Sequence, residues 1–456
     1  VVNGGLFEEV LMSATGELPR VLRPIHLWAI AVGLVISGDY FGWNHGVPIA
    51  GPVGMIIDTL VVTVMYVCFI FSYTELSTAI PHSGGPFAYA RRALGPFGGF
   101  VAGFGTLLEF VFAPPAIALG IGDYLHFRFG VDKVTGALGA FVLFGAVNVI
   151  GVGLAATFEL IVTALATLEL FLYFGLTAPH LNTANILTAP LVKDGLTGLF
   201  AALPYGIWFY LGLEGVAMSA EEVVNPKKDI PKAYIAGIVT LTILALGTLI
   251  CTNGVLPASE IVPVDDPEAP LPHALAKVLS PGHPMTHLMV YLGLFGLVAS
   301  FHGIMMGYSR QVFALARADY LPAFLARLHP RLRTPVWAVV LPGLVGALAV
   351  LTEKGAELIA LAGLGAVVVY VTSMLSLFAL RKKEPELERP FRAPFYPVMP
   401  AIALALALLF LAAFAAATPL VIGVFLGLFA LAFAHYQVVT RPKLARTATP
   451  AVSLVP

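Results

Sequence analysis

The sequence predicts an all-α polytopic membrane protein, and three observations predict it. Of its 456 residues, 59% are hydrophobic and only 11% are charged, whereas a soluble domain carries about a quarter charged residues. The apolar residues fall into long runs, most of them near the roughly 20 residues that a spanning helix needs. The basic residues gather in alternate connections between those runs, as they do when cytoplasmic loops collect Lys and Arg.

The runs place twelve spans at 26–50, 52–79, 97–127, 134–152, 157–178, 196–219, 232–256, 285–313, 335–352, 356–380, 398–416 and 419–437. The last two are split only by "ATPL", a tight turn. With both termini on the cytoplasmic side, 20 of the 25 Lys and Arg fall on that side and 5 on the other. An odd number of spans would scramble this asymmetry. Residues 1–24 form a cytoplasmic N-terminus. Helices 1–7 occupy 26–256, helices 8–10 occupy 285–380, and helices 11 and 12 occupy 398–437. Residues 438–456 form a cytoplasmic tail, so 1–456 is a single membrane domain. The first run is too long for a signal-peptide core, and the expected location is the plasma or inner cell membrane. The outer stretch 257–284 is acidic and proline-rich ("PVDDPEAP"), and the inner stretch 381–397 is basic and proline-broken.

Several classes are excluded. A net charge of −1 points to no nucleic acid. Cys68 and Cys251 lack metal or redox spacing and read as small hydrophobes. No phosphate-loop, dinucleotide or nucleophile-elbow pattern is present, and the scattered loop histidines lack ligand spacing. A membrane enzyme acting on lipid head groups is therefore the distant alternative. No cofactor is expected beyond a coupling proton, the lipid bilayer is the expected surrounding, and nothing specifies an oligomeric state.

Two spans are interrupted. Span 1 carries "GDYFGWNHG" at 38–46, and span 6 carries "PYGIWFYLGLEGVAMSAEE" at 204–222. Each combines glycines, aromatics and an acid. Glycines weaken a helix, and backbone freed inside a membrane is tolerated only where it lines a cavity or is buried in protein. Spans 1 and 6 are equivalent if two five-helix repeats are inverted with respect to each other, and such paired interruptions point to a transporter's central site.

Asp39, Asp58, Glu109, Glu159, Glu169 and Glu214 lie in spans or at their edges, while no Lys or Arg occurs from Pro24 to Ala90. Unpaired intramembrane carboxylates are costly and mark substrate, ion or proton paths. An organic cation would satisfy them, and Tyr40, Phe41, Trp43, Trp208, Phe209 and Tyr210 offer cation–π faces. Plainer roles are open to the others. Asp58 can hydrogen-bond a neighbouring helix, Glu159 can snorkel from a helix end to water, and His302 can be a satisfied buried histidine. Glu75 and Arg91–Arg92 read as an inner-gate or loop network.

Longer motifs carry a family likeness. "ELSTAIPHSGGPFAYARRALGPFGGFVAGF" (75–104), "GLEGVAMSAEEVVNPKKDIPKA" (212–233) and "SRQVFALARADYLPAFLARLHPRLRTPVWA" (309–338) resemble signatures of the amino acid–polyamine–organocation transporter superfamily. That resemblance implies a LeuT-like 5+5 inverted repeat with discontinuous helices 1 and 6, two extra C-terminal helices, and secondary active transport by alternating access. It also implies that backbone N–H groups of a Gly-small-Gly triplet in helix 1 hold a substrate carboxylate. Here the triplet aligns with Gly42, Trp43 and Asn44, and bulky Trp43 obstructs such a cradle. "GDYFGWNHG" with "LLEFVFAPPAIALGIGDYL" (107–125) resembles the ethanolamine permease branch, which implies import of ethanolamine or a close amino alcohol. On this reading Asp39 or Glu109 pairs with the ammonium, and Asn44 or His45 meets the hydroxyl. Tyr40, Gly42 and Tyr210 line the site, while Trp43 and Trp208 shape and close it. Glu214 falls on the family's helix-six coupling or gating acid. The helix-5 lysine of proton-coupled relatives is missing: Ala166 takes its place, with Glu169 nearby and His302 as a further coupling candidate. Uniport, exchange and a Glu-based proton path stay open, as do choline, polyamine and amino acid substrates.

Overall fold

A computed structural model describes residues 20–150 and 155–448. Of the expected N-terminal segment, residues 1–19 lie outside these residues, and of the expected tail, residues 449–456. The chain is built from helices, and one parallel bridge joins Leu22 to Val223. The principal helices are α1 (Pro24–Gly33), α2 (Val47–Ala79), α3 (Gly85–Phe129), α4 (Lys133–Ile150), α5 (Ala155–Thr177), α6 (Gly195–Ile207), α7 (Pro226–Val255), α8 (Pro284–Arg317), α9 (Val336–Val350), α10 (Gly355–Lys383), α11 (Val398–Ala417) and α12 (Pro419–His435). Among the described residues, nine helices are long and apolar enough to cross a membrane, and α1, α6 and α9 are shorter apolar helices. The two interrupted spans explain two of the short ones: α1 stops at Gly33 and α6 at Ile207, where the glycine-rich stretches begin.

Boundaries differ from the sequence reading in two places. The third span was expected at 97–127, but α3 starts at Gly85. Pro86 suits a first helical turn because it lacks the N–H that would be orphaned there. The segment then turns at Gly95, whose φ of 83° and ψ of −171° only glycine adopts without strain. The acidic stretch 257–284 contains a helix, Pro270–Leu279. The turn between the last two helices is as tight as expected, with Thr418 alone between them.

Ion pairs divide into two sets. Arg92–Glu384, Lys227–Glu388, Arg310–Glu222, Arg381–Glu75, Arg389–Glu75 and Lys443–Asp319 join the connections rich in Lys and Arg. His45–Glu268, His126–Asp266, Lys133–Asp123 and Lys277–Glu260 join the opposite connections. None of these pairs joins one set to the other, so the charged groups lie on two faces separated by apolar helices.

The centre is held by α3, which packs most extensively on α10 and α8. A methyl group placed on Gly365 would lie 2.6 Å from the Glu109 backbone nitrogen and 2.7 Å from the Gly105 carbonyl oxygen. The α3 and α10 backbones therefore meet through small residues, the usual way apolar helices gain packing in a bilayer. Gly365→Ala is expected to lower stability by about 1–3 kcal/mol through overpacking. Gly139→Ala, with nothing within 4 Å of the added methyl, is expected to be neutral or slightly stabilising. Thermal unfolding in detergent measures both, and equal shifts would contradict the packing argument.

Candidate functional site

The break in the first span has two steps. After α1 the backbone keeps helical dihedrals at Leu34 and Ile36 but loses the hydrogen bond between the Gly33 carbonyl and the Ser37 N–H, then forms one turn at Ser37–Tyr40 and opens at Phe41 and Gly42. Gly42 has φ 93°, and a 3₁₀ turn at Trp43–Gly46 then leads into α2. The freed backbone groups find partners. Ser300 Oγ of α8 donates to the Gly33 carbonyl at 2.7 Å and accepts the Ser37 N–H at 3.0 Å. Gly38, Asp39 and Phe41 N–H groups donate to Val35, Ile36 and Ser37 carbonyls. The Gly42 N–H donates to Asn44 Oδ1 at 2.8 Å. The second break runs from Trp208 to Gly212, whose φ is 97°, and continues as a 3₁₀ segment, Leu213–Glu222.

The breaks face each other. A methyl on Gly38 would lie 2.2 Å from the Trp208 carbonyl oxygen, and one on Gly42 would lie 2.3 Å from the Trp208 indole. Trp43 stacks on Phe209 with centroids 6.0 Å apart and planes at 11°. Phe41 and Trp208 are tilted partners at 5.8 Å. Tyr210 shares a 2.6 Å hydrogen bond with Thr63 and packs on Tyr66. Trp43, Trp208 and Tyr210 thus form the wall between the breaks, and the Trp208 indole N–H has no partner.

Asp39, Glu109 and Glu214 are 0% exposed, Glu159 is 2% exposed, and neither carboxylate oxygen of any of the four has a hydrogen-bond partner. Glu109 of α3 and Glu214 lie within reach of each other, though no hydrogen bond of ordinary geometry closes between them. Tyr66, Tyr73, Tyr234 and Tyr370 surround that pair. Among the described residues no ion pair joins a Lys or Arg to any of these four carboxylates, and the buried guanidinium of Arg389 is paired with Glu75.

Several expected roles change. Asn44 is committed to structure: besides the Gly42 N–H it reaches the Pro267 and Ile261 carbonyls at 2.9 and 3.4 Å, so it has little left for a substrate hydroxyl. His45 points outward to Glu268, 2.9 Å away. Glu169 is partnered, since the Tyr40 hydroxyl donates to it at 2.7 Å, and the Tyr40 ring fills space left by Gly293 and Gly296. His302 lies away from the breaks, beside Asn148 at 3.0 Å and between Phe144 and Phe158. Glu159 does not snorkel to water. A methyl on Gly33 would lie 2.1 Å from Glu159 Oε1, so this α5 carboxyl abuts the first break, where the sequence alignment had put Ala166.

Both faces are closed. On the face rich in basic residues, Leu22 N–H donates to the Glu222 carbonyl, Arg310 pairs with Glu222 at 2.7 Å, and Ser83 donates to Glu221 at 2.8 Å. Glu75 belongs to a separate network there, with Arg381 and Arg389 at 2.6 and 3.1 Å. On the other face, the loop at 261–268 is latched to the first break and to α3. The Glu268 N–H donates to Asp123 at 2.7 Å, and Asp266 receives His126 and His273 at 2.6 and 3.3 Å. Sequence reading missed this latch, because its only signal was the acidic "DDPE" and histidines far away in the chain.

Burial alone would push the Asp266 carboxyl up. The hydrogen bonds from His273 and His126 outweigh that and hold it below its ordinary range. A carboxylate held low stabilises the fold above its unfolded value, and that contribution is lost as pH falls through the folded value. Asp266→Asn is therefore expected to lower the apparent Tm at pH 7. The gap to wild type should narrow below about pH 4, where the free carboxyl protonates. A gap independent of pH would contradict this.

The sequence profile of a family described as amino acid permease matches residues 22–434. The chain is 30% identical to an uncharacterised transporter of Rhizobium meliloti, over 86% of this chain and 85% of that protein. It is 27% identical to a branched-chain amino acid permease of Bacillus subtilis, over 87% and 89% of the two chains. It is 26% identical to a methylthioribose transporter of the same organism, over 86% and 88%. With its apolar helices, interrupted spans and buried acids arranged in this way, the chain belongs to the amino acid permease family within the amino acid–polyamine–organocation superfamily of membrane transporters.

Proposed function

We propose that this permease imports a small organic cation, ethanolamine or a close amino alcohol, by alternating access around the two breaks. The observation that carries the reading is the set of four buried carboxylates, Asp39, Glu109, Glu159 and Glu214, none of them paired with a Lys or Arg among the described residues. Asp39 or Glu109 receives the ammonium, Tyr40 and Gly42 line the site, and Trp43, Trp208 and Tyr210 enclose it. A second observation bears on a substrate carboxylate. In the triplet aligned with the family's cradle, the Gly42 N–H is already taken by Asn44 Oδ1, as are the N–H groups of Ser37, Gly38, Asp39 and Phe41 before it by other partners.

Packing supports twelve spans in two inverted five-helix repeats. α1 contacts α7 as α6 contacts α2, and α3 contacts α10 as α8 contacts α5. These are the pairings that exchange when helices 1–5 are mapped onto 6–10. The basic connections then face the cytoplasm.

For coupling, Glu109 and Glu214 act as one unit. Two carboxyls this close in a medium of low dielectric share a proton or hold a cation between them. An arriving ammonium takes the proton's place, so the pair exchanges substrate for a proton. Glu159, lodged against the first break, is the α5 group placed to respond to that break's movement. Glu169 and His302 take supporting roles. An amino acid substrate is the second reading, favoured by the relatives' names, which include cationic amino acid transporters of Arabidopsis thaliana.

Substrate-dependent thermal stabilisation tests the reading, because a ligand that binds only the native state raises apparent stability with occupancy. The panel is ethanolamine, choline, putrescine, arginine and alanine, on wild type and Asp39→Asn. Stabilisation by ethanolamine, weakened at least about tenfold in apparent affinity by Asp39→Asn, is expected, since a hydrogen bond to a charged group contributes about 1.5–3 kcal/mol. Stabilisation by alanine, unchanged in the variant, would overturn it. In weak buffer, ethanolamine binding is expected to release up to about one proton per substrate, with less release in Glu214→Gln. Binding with no proton release would remove the exchange step and leave uniport.

A further inference from the structure

A second site lies on the basic face, where the 3₁₀ segment that follows the second break comes to its end. Between the start of α3 and the end of α8 is a cavity of about 600 Å³, lined by His82, Arg91, Arg92, Arg317, Phe87 and Phe313, with Glu221 as its acid. The charges in it are not balanced. Glu221 is taken by the Ser83 N–H and hydroxyl, both at 2.8 Å, and Arg92 is taken by Glu384. Arg91 and Arg317 form no hydrogen bond or ion pair among the described residues, although Arg317 is near enough to Glu221 to help hold its carboxyl low. Instead they stack. Arg91 Cζ lies 5.6 Å from the Tyr320 ring centre and 6.0 Å from that of Phe87, and Arg317 Cζ lies 5.5 Å from that of Phe313. Stacking fixes a guanidinium plane while leaving its N–H edge free, the arrangement that suits forked binding of a phosphate.

The surroundings are apolar. Tyr320, under Arg91, donates to the Pro96 carbonyl at 2.9 Å and stacks against Tyr436 at 6.3 Å. Tyr436, Leu94 and Phe97, with Gln437 and Arg441, line a second hollow of about 480 Å³. Phe97 is 50% exposed and Leu94 is 37% exposed. A basic cavity linked to a largely apolar hollow by the stacked Tyr320 and Tyr436 rings matches a ligand with a phosphate at one end and hydrocarbon at the other.

The geometry points to a binding site for an anionic phospholipid, with its phosphate between Arg91 and Arg317 and its hydrocarbon along Leu94, Phe97 and Tyr436. Basic pockets on this side of membrane helices hold anionic head groups, and surface attraction alone is worth about fivefold in affinity for each basic residue. The site does not depend on which substrate is carried.

Native mass spectrometry of the full chain, equilibrated with phosphatidylglycerol or phosphatidylcholine, tests it. Wild type is expected to retain phosphatidylglycerol in preference. Arg91→Gln with Arg317→Gln should lower that retention by about fivefold per arginine, while Arg327→Gln with Arg331→Gln on the same face should not. Equal retention of the two lipids by wild type needs no variant and would overturn the proposal. So would a cavity variant that folds and retains phosphatidylglycerol like the control. Displacement of the lipid by an equal concentration of glycerol phosphate would overturn the assignment to a lipid and leave a site for soluble phosphate. Arg317→Gln alone, which removes only an exposed ring contact, covers the case in which the double variant does not fold.

Discussion

The structure depends on how one serine resolves the first break. Inside a bilayer a freed carbonyl or N–H has no water to turn to, and each one left unpaired costs several kcal/mol. Ser300 accepts the N–H of Ser37 and donates to the carbonyl of Gly33. One hydroxyl thus bridges the gap between the end of α1 and the turn at Ser37–Tyr40. Without such a partner the chain would close into a continuous helix, and Asp39 would not sit at an irregular point facing the second break.

Close approach between backbones is the second requirement. Gly38 and Gly42 stand against Trp208, Gly33 against Glu159, and Gly365 against the backbone of Glu109. At each of these places a methyl group would collide with a group that belongs to the site. The glycines therefore place the acids as well as loosen the helices. They hold carboxylates from α3, α5 and both breaks in dry surroundings, where Glu109 and Glu214 lie within reach of each other.

Closure on two faces uses different chemistry. The basic face is closed by Arg310 with Glu222 and by backbone pairing of Leu22 with Glu222 and Val223. The opposite face is closed by histidine–carboxylate contacts, His45 with Glu268 and His126 and His273 with Asp266.

Much of this architecture was legible in the sequence because it follows from local chemistry. Length and apolarity of runs mark helices, glycine with proline marks their interruptions, and Lys and Arg mark one set of connections. The breaks at "GDYFGWNHG" and after "PYGIW" fell where expected, as did the tight turn before Pro419. What only the tertiary structure decided was which polar groups are already satisfied. Asn44 and Asp39 are five residues apart and equally polar, yet Asn44 is spent on a loop more than two hundred residues away while Asp39 has no partner. Glu169 and Glu159 lie on the same helix, yet one is met by Tyr40 and the other abuts Gly33. A hydrogen-bond partner contributed by a distant segment leaves no periodic trace in the chain. Residue types and spacings therefore marked the interrupted spans and the intramembrane acids, and long-range pairing alone determined which of those acids are met by a partner.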